Sequence, residues 1–73
     1  MSKACVLIKT TPTATDKILE TVLKMKSVRR AYVAYVRWDI VAFVDAPIDQ
    51  IGGISANINS IDGVRSTETL PEA

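Results

Sequence analysis

Val28-Arg-Arg-Ala-Tyr-Val-Ala-Tyr-Val36 and Asp39-Ile-Val-Ala-Phe-Val-Asp45 are separated by only Arg37-Trp38. Both segments are short and rich in β-branched and aromatic residues, which suits strands. So tight a connection fits only an antiparallel hairpin, because parallel strands need a crossover of a dozen residues or more. This hairpin decides the fold, since everything around it must pack on its two strands.

Upstream, residues 4 to 10 (Ala-Cys-Val-Leu-Ile-Lys-Thr) form a short continuous apolar run. Its length and β-branching suggest a strand buried on both faces. Thr11-Pro12-Thr13 breaks it. Thr13 to Asp16 has the spacing of a capping box, with Asp in place of the usual Glu or Gln. Ile18, Leu19, Val22, Leu23 and Met25 then recur at helical spacing. Glu20 and Lys24 can pair on the outer side, and Lys24 and Lys26 are expected in the last turn, where cations suit the helix dipole.

Downstream, Ala46-Pro47 opens a second helix, with proline expected in the first turn. Ile48, Ile51, Ile54, Ile58 and Ile61 mark one face of it. Gly52-Gly53 weakens the middle by about 1 kcal/mol per glycine relative to alanine. A kink or the close approach of a neighbouring backbone is expected there. Asp62-Gly63 is a stop, with Gly63 suited to the C′ position. Residues 64 to 70 read as a last, more polar strand at a sheet edge, with Val64, Ser66, Glu68 and Leu70 on one side.

The order is βαββαβ in one domain spanning residues 1–73, an α+β ferredoxin-like arrangement with a four-stranded antiparallel sheet. Right-handed crossovers place both helices on one sheet face. Strands one and three, the two most apolar, become the central pair. Two helices cover one face, yet strand one is apolar on both. An uncovered apolar sheet is an association surface. A homodimer through the open sheet face is therefore expected.

Composition agrees. The chain has 73 residues, 48% apolar and 23% charged, with a formal net charge of +1. A domain this small buries only about 60% of the surface its unfolded chain exposes. It commonly needs a disulfide, a metal or a second subunit. With one cysteine and no histidine, an intrachain disulfide and a structural zinc site are excluded. Isoleucine and valine total sixteen against four leucines, which favours a sheet over a helix bundle. The near-zero charge argues against a dedicated nucleic-acid binder. No apolar run has the length of a membrane span and no signal-peptide pattern opens the chain. With a free thiol, a cytoplasmic location is expected.

The available chemistry is sparse. Without histidine there is no Ser-His or Cys-His pair and no histidine–metal site. Cys5 lies in an apolar strand and reads as a small core residue, since reactive cysteines need exposure and positive surroundings. Gly52-Gly53 lacks the context of a phosphate loop. Asp39 is most simply a hairpin-end residue. Lys24, Lys26, Arg29 and Arg30 read as a solvated helix end. Tyr32, Tyr35 and Trp38 read as core or subunit contacts. No catalytic residue, metal ligand or cofactor is expected.

The hairpin and the chain's end carry a resemblance. The segment from Val28 to Val44 is similar to the Val-x-x-Ala-Tyr strand, the Gly-x-aromatic-Asp hairpin and the following apolar strand of the effector-binding (RAM) domain of Lrp/AsnC transcription regulators. Ile61-Asp-Gly-Val-Arg-Ser-Thr-Glu-Thr69 resembles that family's Ile-x-Gly-Val-x-x-Thr-x-Thr ending, and Val6-Leu-Ile-Lys-Thr10 followed by Pro12 also fits. The resemblance covers essentially the whole chain. It implies a ferredoxin-like fold, dimers joined through their sheets, assembly into octamers or rings, and an amino-acid effector bound between subunits. It implies a ligand site of Val36, Arg37, Trp38 and Asp39 with Ser66, Thr67 and Thr69. There Asp39 would meet the ammonium group. Backbone amides, Thr67 or Arg37 would meet the carboxylate, and Trp38 would wall the side-chain pocket. The family's hairpin glycine is Val36 here, and a β-branched residue resists φ > 0, so the turn differs. The helix-turn-helix half of these regulators has no counterpart in the 73 residues. A stand-alone regulatory module is expected, able to modulate full-length Lrp/AsnC regulators. A ligand-free oligomerisation module and a dimeric α+β barrel enzyme are the alternatives.

Overall fold

The structure, a computed structural model, describes residues 2–35 and 37–72. The chain runs β1 (Ser2–Thr10), a 3-10 turn (Pro12–Ala14), α1 (Thr15–Leu23), β2 (Val28–Val33), β3 (Ile40–Ala46), α2 (Ile48–Asn59) and β4 (Val64–Pro71). The four strands form one antiparallel sheet in the order β2-β3-β1-β4. This is the ferredoxin-like βαββαβ arrangement, with the apolar β1 and β3 at the centre and the polar β4 at an edge.

Strict alternation on the central strands separates the two faces. Ala4, Val6, Ile8 and Thr10 of β1 and Ile40, Ala42, Val44 and Ala46 of β3 are buried. They pack with Ile18 and Val22 of α1 and with Ile51 and Ile58 of α2 into one core. Burying each of the valine and isoleucine side chains is worth about 1.5–3 kcal/mol. The intervening residues, Cys5 and Leu7 on β1 and Val41 and Phe43 on β3, are only half-buried on the helix-free face. Their cross-strand partners on that face are Arg30 and Tyr32 of β2 and Glu68 and Leu70 of β4.

Local details depart from the sequence expectation for identifiable reasons. The capping box is not used: Pro12 starts a 3-10 turn that absorbs Thr13, and α1 begins at Thr15 with Ala14 as an N-cap lacking a side-chain bond. Helix α1 ends at Leu23, so Lys24 is its C-cap and Lys26 lies beyond it. Lys24 and Glu20 do approach to 3.8 Å, but both are exposed, where such pairs contribute little. Pro47 is the N-cap of α2 rather than a first-turn residue, and Ser60 is its C-cap. Ile48, expected on the apolar face, is 70% exposed, because its place around the helix falls about 90° to one side of the Ile51, Ile54 and Ile58 stripe.

The glycines exchange roles. A Cβ on Gly52 or Gly53 would meet nothing within 4 Å, so no backbone approaches there. Gly63 instead has φ +97°, and a Cβ on it would fall 2.7 Å from the Ala14 Cβ. It lies past the helix cap, at the bend into β4, where the chain passes under the start of α1. The bend is tied down by Thr11, whose N–H donates to the Gly63 carbonyl at 2.9 Å.

The register of β4 shifts at Lys9/Thr10: Lys9 pairs with Ser66 but Thr10 with Val64. A bulge of this kind reverses the side to which a residue points. Val64 therefore packs against the core, away from Ser66, Glu68 and Leu70, and does not share their face as its sequence parity suggested.

Candidate functional site

The hairpin closes with the Ala34 N–H donating to the Asp39 carbonyl at 2.9 Å. The connection is thus four residues, 35–38, and longer than Arg37-Trp38 alone. Val36, which stands where the resemblance has glycine, lies outside the described residues. Tyr35 is 90% exposed, Arg37 is exposed, and Trp38 and Asp39 are half-buried.

Asp39 is held at the end of β1. Its N–H donates to the Ile8 carbonyl at 2.9 Å, and its Oδ2 accepts the Thr10 N–H at 2.8 Å. That amide faces the hairpin beyond the last β1–β3 pair, Ile8–Ile40, so a carboxylate oxygen takes the place of a strand partner. Lys9 Nζ donates to the Arg37 carbonyl at 3.1 Å, fixing the loop from the other side. Thr10 Oγ1 lies 2.6 Å from Thr15 Oγ1. Asp39, Thr10 and Thr15 thus form a polar chain from the hairpin to the first turn of α1. Neither Lys9 nor Thr10 stands out in the sequence, because their part depends on which strands flank β1.

The other sequence-derived residues divide between the two faces. Ser66 pairs with Lys9 and is exposed at the hairpin end of the open face. Thr67 pairs with Ile8 and Thr69 with Val6, so both turn toward the helices. Thr69 Oγ1 lies 2.6 Å from Ser55 Oγ on α2. Within one chain, the structure brings Arg37, Asp39 and Ser66 to the two sides of the Lys9 end of β1. Thr67 and Thr69 sit on the opposite face.

An apolar groove of about 560 Å³ opens at the far end of the open face, lined by Lys3, Cys5, Arg30, Phe43 and Leu70 among others. The Arg30 guanidinium lies 5.2 Å from the centroid of the Phe43 ring, close enough for a cation–π contact. Tyr32 meets the same ring at 5.8 Å. Burial raises the Cys5 thiol above its ordinary range. A raised thiol at neutral pH is mostly protonated and a poor nucleophile. Among the described residues no group of three or more Asp, Glu, His or Cys is placed to hold a metal ion, and no helix is long and apolar enough to cross a membrane.

No protein-family model and no curated protein matches the sequence. Solved structures do match. TTHA0845 from Thermus thermophilus is 27% identical over 100% of this chain and 94% of that one, with a TM-score of 0.95. FFRP-DM1 is 24% identical over 100% of both chains, with a TM-score of 0.93. Escherichia coli AsnC is 24% identical over 97% of this chain, with a TM-score of 0.87. The chain spans 50% of AsnC. The class defined here is the fold shared with AsnC-type regulators, as the resemblance to the Lrp/AsnC effector-binding domain implied.

Proposed function

We propose that this protein is a non-enzymatic regulatory module of the Lrp/AsnC effector-binding kind, which assembles through its open sheet face and responds to an amino acid. The observation that carries this reading is the uncovered face itself. Cys5, Leu7, Val41, Phe43 and Leu70 form a continuous apolar centre on the side away from both helices. A second copy is the self-complementary way to cover such a surface. The likeness in fold to AsnC supports the regulatory class. A catalytic reading of the dimeric barrel kind needs a cavity between sheet and helices. That space is filled by Val6, Ile8, Ile18 and Ile58, each at most 1% exposed.

The amino acid would lie at the hairpin end of the open face, against Arg37, Trp38, Asp39 and Ser66 of one chain; Val36, which the resemblance adds, is outside the described residues. Asp39 gives one oxygen to Thr10 and keeps the other for an ammonium group. Arg37, exposed, is free to reach a carboxylate. Thr67 and Thr69, which face the helices, would act by holding β4 in place. The module would modulate full-length Lrp/AsnC regulators by joining their oligomers.

Thermal unfolding in the presence of each of the twenty amino acids tests this. A ligand at 100 times its Kd stabilises by about 2.7 kcal/mol, roughly ten degrees or more for a domain this small. At least one amino acid at millimolar concentration should raise Tm, and Arg37→Ala or Ser66→Ala should remove the shift. No shift with any amino acid contradicts the sensing role.

A further inference from the structure

Two charges of opposite sign, Arg30 and Glu68, flank the apolar centre of the open face without an ion pair to the described residues of their own chain. Among the described residues the ion pairs are Lys24–Glu20 and Arg29–Asp45, so neither Arg30 nor Glu68 has a described partner. Arg30 lies on edge strand β2, opposite Phe43. Glu68 lies on edge strand β4, opposite Leu7. They stand at diagonally opposed corners of the apolar centre, one row of residues apart along the strands.

That placement selects between the two aligned ways in which the face can cover itself. Two sheets packed face to face about 10 Å apart are related by a twofold axis lying between them. If the axis runs across the strands, each β2 lies over the partner's β2 and each β4 over the partner's β4. Arg30 is then brought near Arg30 of the partner subunit and Glu68 near Glu68 of the partner subunit. If the axis runs along the strands, β2 lies over the partner's β4. Arg30 then sits within one residue row of Glu68 of the partner subunit, a span a long guanidinium side chain covers. The same axis sets Phe43 over the small Cys5 of the partner subunit, large against small as close packing requires.

Resting on the sheet-face dimer proposed above, we infer that the dimer axis runs along the strands and that Arg30 forms a symmetric pair of inter-subunit ion pairs with Glu68 of the partner subunit. The charges fix orientation as much as affinity. A guanidinium covered by a second sheet is costly to bury unless it meets a carboxylate, and the wrong orientation sets like charges together.

Charge reversal tests the pairing. Arg30→Glu and Glu68→Arg should each weaken the homodimer by about tenfold or more, since each places like charges together twice. Mixing the two variants should restore wild-type affinity as a heterodimer. The carboxylate introduced by R30E then meets the guanidinium introduced by E68R, and the native Arg30 of one chain meets the native Glu68 of the other. Far-UV circular dichroism of each variant confirms the fold, and sedimentation velocity of the mixture reads the assembly. A wild-type dimer whose mixed variants associate no better than either alone overturns the pairing while leaving the sheet-face dimer intact. A monomeric wild type overturns both.

Discussion

The Asp39 carboxylate accepts the backbone N–H of Thr10 at 2.8 Å, across the end of the sheet where the register of β1 and β4 shifts. The β1–β3 ladder ends at Ile8–Ile40, which leaves this amide without a strand partner on that side, and a half-buried amide left unpaired costs about 1–3 kcal/mol. Asp39→Ala should therefore destabilise the domain by that amount in urea unfolding. Asp39→Asn, which keeps an acceptor oxygen, should lose less. An alanine variant as stable as the wild type would show that water replaces the carboxylate without loss.

Gly63 and the Gly52-Gly53 pair should respond in opposite directions. Gly63 has φ +97°, and an added Cβ would strike the Ala14 Cβ, so Gly63→Ala should destabilise by more than about 1 kcal/mol. Gly52→Ala and Gly53→Ala meet open space within an α-helix and should each stabilise by up to about 1 kcal/mol. Thermal unfolding of the three variants gives the signs.

Two isoleucines on one helix separate face from periodicity. Ile58 is fully buried and Ile48 is 70% exposed. Ile58→Ala should cost about 2–5 kcal/mol, while Ile48→Ala should lie within about 0.5 kcal/mol of the wild type. Equal losses in denaturant unfolding would mean that Ile48 is covered in the assembled protein.

The architecture was legible because the hairpin from Val28 to Asp45 and the apolar β1 leave few ways to build a sheet. Element order, the central pair, the polar edge strand and the uncovered face all follow from those strands. The details that escaped depend on tertiary neighbours. Val64 changes sides through a bulge that pairing with β1 imposes. Thr13 is drawn into a turn started by Pro12. Gly63, rather than Gly52-Gly53, is where two backbones come close. The hairpin residues of the candidate site were visible as a motif. The anchoring of Asp39 on Thr10 and the turning of Thr67 and Thr69 toward α2 required the register.

Cys5 reports on the open face. Burial raises its thiol above the ordinary range, so the folded chain holds this proton more firmly than the unfolded one. The associated stabilisation is complete below the unfolded pKa and is lost as pH rises through the folded pKa. Alkylation should be slower than for a free cysteine at mildly alkaline pH and should accelerate only at higher pH. It should also quicken on dilution, as the covering copy leaves. A rate independent of protein concentration would place Cys5 outside the association surface.

The most direct test of the open face is sedimentation velocity at micromolar concentration, comparing the wild type with Leu7→Arg. Leu7 is half-buried at the centre of that face and outside the buried core, so the substitution should spare the fold and charge only the contact. The wild type should sediment as a dimer or a multiple of it, and Leu7→Arg as a folded monomer. A monomeric wild type, or a variant that assembles as the wild type does, would contradict the account.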